Sequence, residues 1–225
     1  MCGRFTLAVP AADVAEVLEV SELPDLEPRF NIAPSQPVLA GRLNSVGQRE
    51  AVYLKWGLVP RWADDPKIGY QLINARAETI ATKPSFREAF RKRRCVVPAD
   101  GFYEWQVRGT QTKQPFRFRR RDSKPFLIAG LWERWERPGQ EPSETCTLIT
   151  TAANDLLRPF HDRMPVILDR TAAQVWLSPG PIEATAVHDL LRPAPDDWLT
   201  YDAVSLRVNN PRIDDPSLIE PIPLD

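Results

Sequence analysis

Proline constrains this chain before anything else does. Twenty-three prolines are scattered through its 225 residues, about twice the ~5% share of an average protein, and no stretch gathers them into a linker. Each one fixes φ near −65° and removes a backbone donor, so long helices and broad central strands would be interrupted repeatedly. Short strands joined by rigid turns survive such punctuation. The apolar pattern predicts strands over 53–59, 95–98, 101–107, 115–120, 125–135, 145–153, 164–169 and 198–208, with a loop around Asn31. Residues 11–20 carry apolar side chains at helical spacing. Two capping boxes, Ser85 with Glu88 and Thr171 with Gln174, predict helices over 85–93 and up to Leu177. Residues 182–191, which include His188, read as a further helix. Strands dominate and do not alternate regularly with helices, so an α+β fold is expected rather than a doubly wound parallel sheet. No repeat or linker divides the chain, and a single domain over 1–225 is expected.

Composition removes several classes of function. Hydrophobic residues at 43% and charged residues at 26% are near globular averages, which excludes wholesale disorder. No apolar run approaches the roughly 20 residues that span a bilayer, and the start lacks a signal-peptide pattern. Three cysteines (Cys2, Cys95, Cys146) are too few for a disulfide scaffold, and their odd number leaves at least one free thiol. A soluble cytoplasmic protein with no membrane partner is expected. The net charge of −1 conceals a polarity. Arg87 to Lys124 holds twelve Lys/Arg against four Asp/Glu, and Asp189 to Asp225 three against eight. Such a division permits a directional field, although most charge runs are solvated faces.

The reactive candidates lie far apart in sequence. If Met1 is removed, Cys2 carries an α-amine and a thiol two carbons apart, with reference pKa values of roughly 7.7–8.0 and 8.5. Both are then partly in their reactive forms near neutrality. An aldehyde suits the pair: the amine makes a Schiff base and the thiol closes on it to give a five-membered thiazolidine. His161, in PFHDRMP, sits in a polar break and titrates near neutrality. Glu104 stands among Phe102, Tyr103 and Trp105. It either points outward from an edge strand or is buried with a raised pKa, and spacing leaves both open. In an extended INARAET segment, Asn74, Arg76 and Glu78 point the same way. Asn74 suits an amine or carbonyl and Arg76 a phosphate, unless Arg76 and Glu78 form only a weak surface pair. Trp56 and Trp62 flank a proline turn and are either core or platforms for unpaired bases.

Taken together and in order, MCGRF, NIAPSQ (31–36), WGLVPRW (56–62), NARAET (74–79), CVVPADGFYEW (95–105), TTAAN (150–154) and HDRMPVIL (161–168) resemble the SRAP (SOS-response-associated peptidase) family. The resemblance extends from residue 1 to about 168, with a further VN at 208–209. It implies a compact α+β domain with a β-barrel-like core and covalent capture of abasic sites in single-stranded DNA. Cys2 would form the thiazolidine, Asn74 would position its amine and the sugar, and Glu104 would open the deoxyribose ring and shuttle protons. His161 would assist Schiff-base chemistry and reversal. Arg76 and Arg163 would hold phosphates, and Asn31, Trp56, Trp62, Thr150 and Thr151 would line the DNA channel. The partner implied is abasic single-stranded DNA, as at replication forks, met by a monomer. The chemistry needs no cofactor, and no zinc spacing, phosphate loop or dinucleotide fingerprint occurs. Two alternatives remain: a thiol peptidase using Cys2 and His161 to remove Met1, and a non-catalytic DNA-binding module.

Overall fold

The computed structural model describes residues 2–108, 112–180 and 189–224. In chain order its early strands are β1 (Phe5–Leu7), β2 (Arg29–Ile32), β3 (Pro37–Leu43), β4 (Arg49–Trp56) and β5 (Asn74–Arg76). The middle of the chain forms β6 (Arg94–Ala99), β7 (Gly101–Arg108), β8 (Thr112–Arg120), β9 (Phe126–Trp135) and β10 (Ser143–Ala152). Two short strands, β11 (Arg163–Pro165) and β12 (Ile167–Leu168), and a last one, β13 (Leu199–Ala203), complete the set. Among the described residues three helices of at most eight residues are bounded at both ends: α1 (Ala11–Leu18), α2 (Arg87–Lys92) and α3 (Arg170–Leu177). None is long and apolar enough to cross a membrane. The α+β expectation holds.

Five strands close a ring in the order β10-β4-β3-β6-β9, with β9 returning to β10. An odd number of strands cannot close by antiparallel pairing alone, because directions must alternate around the ring. One parallel step solves this, and β4 with β10 supplies it. The second sheet, β13-β8-β7-β1-β2, is antiparallel throughout. Phe5 of β1 meets Trp56 of β4 edge-on at 5.3 Å, and one continuous apolar core draws side chains from both sheets.

Several local expectations are corrected. Asn31 lies on β2, not in a loop. The 53–59 strand begins earlier, at Arg49, and ends at Trp56, because Gly57 takes φ +129° where its backbone packs on Gly69. Neither capping box forms. α2 has no side-chain cap, and α3 is capped by Asp169, whose carboxylate accepts from the Ala172 N–H. The 164–169 strand divides into β11 and β12, and the 198–208 strand stops at Ala203, after which Leu206–Asn209 winds into a 3-10 turn. Most of the 182–191 helix, with His188, lies outside the described residues.

One polar cluster is built into the second sheet. Arg117 on β8 donates to the Asp100 carboxylate (3.1 Å) and to its carbonyl, and Thr6 donates to the same carboxylate; all three are buried. Removing one member of such a pair strands the other charge without water. Asp100→Ala should therefore lose about 3–5 kcal/mol of unfolding free energy in urea titration. A loss below 1 kcal/mol would contradict the arrangement.

Candidate functional site

The site forms where the barrel's ladder changes partners. On one edge of β10, β4 pairs as far as Trp56 opposite Cys146. The chain then loops out and returns as β5, resuming the same ladder with Asn74 opposite Leu148 and Arg76 opposite Thr150. On the other edge β9 ends opposite Leu148, and β11 takes over with Arg163 opposite Ala152. The far end of β10 thus holds Asn74 and Arg76 on one side and the His161–Arg163 turn on the other.

The second sheet supplies the remaining groups. β1 pairs with β7 through Phe5–Phe102 and Thr6–Gly101, and the Tyr103 N–H donates to the Arg4 carbonyl at 3.0 Å. Continuing that register sets Glu104 beside Gly3, next to Cys2. Asn74 closes the gap between the sheets: its Nδ2 donates to the Cys2 carbonyl at 2.9 Å. Its Oδ1 is buried with no hydrogen-bond partner among the described residues. The His161 turn is held against β8 by Phe160, whose ring packs on Phe116, Phe118 and Tyr201 at 4.8–5.0 Å. Phe116 is the cross-strand partner of Glu104. Four segments distant in sequence meet here.

Electrostatics separates the roles these groups can take. Glu104 is 3% exposed, and burial pushes its carboxyl up to about 7. This decides between the two readings left open by alternation. The Cys2 thiol is fully buried, and desolvation followed by the Glu104 charge raises it far above the ordinary thiol range. It rests as a thiol, not a thiolate. His161 is held below its usual value, first by desolvation. Its Nδ1 accepts from the Arg163 backbone N–H at 2.9 Å, which leaves Nε2 to carry the proton of the neutral ring. Asp162 Oδ1 also stands 2.8 Å from Nδ1, ready to partner an imidazolium.

A groove of about 710 Å³ opens above, lined by Asn74, Arg76, Thr79, Lys83, Phe86 and Thr150 among others. Arg76 is exposed on its wall. Thr79 and Lys83 were not singled out from the sequence; only the turn after β5 brings them there. Trp62 is 56% exposed, its Nε1 donating to the Pro84 carbonyl at the groove's rim. The structure does not bring Trp56, Thr151 or Asn31 into the groove in the same way. Trp56 is fully buried, its Nε1 donating to the Ile73 carbonyl. Thr151 is buried on β10. Asn31 is buried too: its Oδ1 accepts from Arg4, and its Nδ2 donates to the carbonyls of Val208, Asn210 and Ile213. Asn209 of the VN pair accepts from Trp105 Nε1. Arg163 donates two parallel bonds to Glu78, at 2.6 and 2.9 Å. Glu78 lies beyond the end of β5, so its carboxylate serves Arg163 and not the surface pair with Arg76 allowed by its spacing.

Much of the basic stretch is spent internally. Arg93 pairs with Glu133, Arg117 with Asp100, Arg119 with Asp202 and Arg120 with Asp122. Arg94 donates to five backbone carbonyls, those of Phe90, Arg91, Trp176, Ser178 and Gly180. Arg87, Arg91 and Lys92 on α2 remain exposed. The acidic tail behaves likewise, Asp214 pairing with Arg29 and Asp215 with Arg207.

Residues 1–211 match the profile of the SOS response associated peptidase (SRAP) family. A Bacillus subtilis relative named abasic site processing protein YoqW is 44% identical over 227 residues, covering 98% of this chain and 99% of the relative. Abasic site processing protein HMCES of Gallus gallus is 36% identical over 228 residues, covering 88% of this chain and 67% of its own. A crystal structure of a Bacteroides thetaiotaomicron protein superposes with a TM-score of 0.83 at 27% identity, covering 98% of this chain and all of that one.

Proposed function

The chain belongs to the SOS response associated peptidase family, and we propose that it captures abasic sites in single-stranded DNA as a covalent adduct on Cys2. The observation that carries this reading is the junction at Cys2. Its carbonyl is held by Asn74, which itself lines a groove walled by the exposed Arg76, and the β1–β7 register sets a buried carboxyl with a raised pKa alongside.

Once Met1 is gone, the Cys2 amine attacks the sugar aldehyde carbon. Glu104, whose burial raises its carboxyl towards neutrality, gives its proton to the departing hydroxyl, and water leaves an iminium. The thiol sulfur then adds to the same carbon, and its proton returns to the Glu104 carboxylate. One aldehyde and one aminothiol become a thiazolidine and one water, and the acid is restored. The unpartnered Asn74 Oδ1 suits an N–H or O–H donor of the amine or the sugar. The His161 Nε2–H can serve the same leaving oxygen. A protonated thiol supports this order of events. It is a poor nucleophile toward a peptide amide but adequate for an iminium, which weighs against the thiol-peptidase alternative.

The test mixes purified protein with a single-stranded oligonucleotide carrying one abasic site. A heat-stable, salt-resistant adduct one protein in size is expected. Binding that is wholly reversed by salt would instead leave a non-covalent module. Arg76 gives a separate prediction. Arg76→Ala should weaken binding to any single strand and flatten the dependence of log K on log salt by about 0.7. An unchanged slope in fluorescence anisotropy would remove Arg76 from the phosphate path.

A further inference from the structure

We propose that Glu78 is a positioning residue of this site, fixing the turn that carries His161 against the strand that carries Asn74 through its two-point pair with Arg163. The pair differs from an ordinary surface ion pair, which contributes little. Arg163's side chain is 13% exposed against 51% for Glu78, so the guanidinium is inside the structure and the carboxylate reaches in to it. The two terminal guanidinium nitrogens, Nη1 and Nη2, are engaged in the parallel geometry that gives such contacts direction as well as strength. Nη2 also donates to the Thr150 carbonyl at 2.6 Å.

Three strands are therefore tied at one side chain. Glu78 follows the end of β5, Thr150 lies on β10, and Arg163 begins β11. The same Arg163 offers its backbone N–H to His161 Nδ1. Any shift of Arg163 is thus passed directly to the imidazole, both to its orientation and to which nitrogen holds the proton. Glutamine at position 78 has one acceptor oxygen where the fork needs two. Half of the tie is lost with no change of size.

The inference deepens the abasic-site reading, and its test has one arm that is independent of DNA. The first arm records ¹H–¹⁵N spectra of the histidine side chains in the full chain and in Glu78→Gln. The unaltered protein should show His161 as a single tautomer with its proton on Nε2. The variant should show a second tautomer or exchange broadening at His161, while circular dichroism and thermal unfolding remain those of a folded protein. A folded Glu78→Gln with an unchanged, sharp His161 tautomer would overturn the proposal. In the second arm, adduct formation by the variant should slow roughly tenfold to a hundredfold, the scale of a small misplacement of reacting groups. Affinity for an undamaged oligonucleotide should stay within twofold. Loss of that affinity with unchanged His161 spectra would make the pair a phosphate contact instead. If Glu78→Gln does not fold, Arg163→Lys takes its place, keeping the charge but losing the fork. The same spectral change is then expected. Should the unaltered protein form no adduct, the functional reading fails, while the His161 spectra still decide the role of Glu78.

Discussion

Cys2→Ala should abolish the heat-stable adduct with abasic single-stranded DNA and leave behind only a product that borohydride can trap. The distinction follows from the order of bond formation. Alanine at position 2 retains an α-amine, so imine formation survives, but nothing closes the ring, and hydrolysis returns aldehyde and amine. Intramolecular closure draws on effective molarities of about 10⁵–10⁸ M, so no external thiol compensates. The yield of stable adduct should fall on the order of 10³-fold or more. Cys2→Ser should lie between, with an amine that captures and a hydroxyl that closes poorly. The other two thiols serve as internal controls. Cys95 and Cys146 are free and fully buried within the core, and Cys95→Ala should leave adduct formation intact. A stable adduct on the Cys2→Ala protein, measured on a denaturing gel, would end the thiazolidine reading.

Glu104→Gln should slow adduct formation by about 10²–10⁴-fold, the usual contribution of a positioned acid–base group, while making the folded protein more stable at alkaline pH. The stability sign follows from burial. Glu104 is raised to about 7, so between the ordinary carboxyl range and pH 7 the folded state holds a proton that the unfolded state has released. Stability attributable to this group is greatest below pH ~4.3, falls as pH rises through 7, and is fully lost above it. A buried carboxylate at pH 8 costs up to about 3 kcal/mol, and the glutamine amide avoids that cost. Urea titrations at pH 5 and pH 8 should therefore differ less for Glu104→Gln than for the unaltered protein. If the variant is less stable at both pH values and the rate is unchanged, Glu104 is a structural side chain.

These two residues also show what could be read from sequence and what could not. Cys2 was legible because its chemistry is local: an amine and a thiol on one residue need no partner to be recognised. Glu104 was half legible. Alternation gave its face but not the depth of that face, which depends on β1 and β8 packing on either side of β7. Asn31 and Arg163 resisted reading for a shared reason. The Asn31 amide is used by carbonyls 177–182 residues away, and Arg163 by a carboxylate 85 residues away. No pattern in either neighbourhood records such partners. Helix starts failed differently. Thr171 and Gln174 make an acceptable capping box on paper, but Asp169, two residues earlier, is a stronger cap and begins the helix first. The closure of the barrel was legible only as many short strands; the parallel step between β4 and β10 joins segments about ninety residues apart.

The inner placement of β1 has a consequence for the order of events during synthesis. β1 lies between β2 and β7, and Cys2 is sealed in only when β7 has been made. About a hundred residues must therefore leave the ribosome before the first strand acquires its second neighbour, an interval of roughly 5–20 s at ordinary elongation rates. Until then Cys2 lacks the neighbouring strand on which Glu104 stands. The proposed chemistry requires a free amine on Cys2, so the expected time for removal of the residue before it is while the chain is still being made.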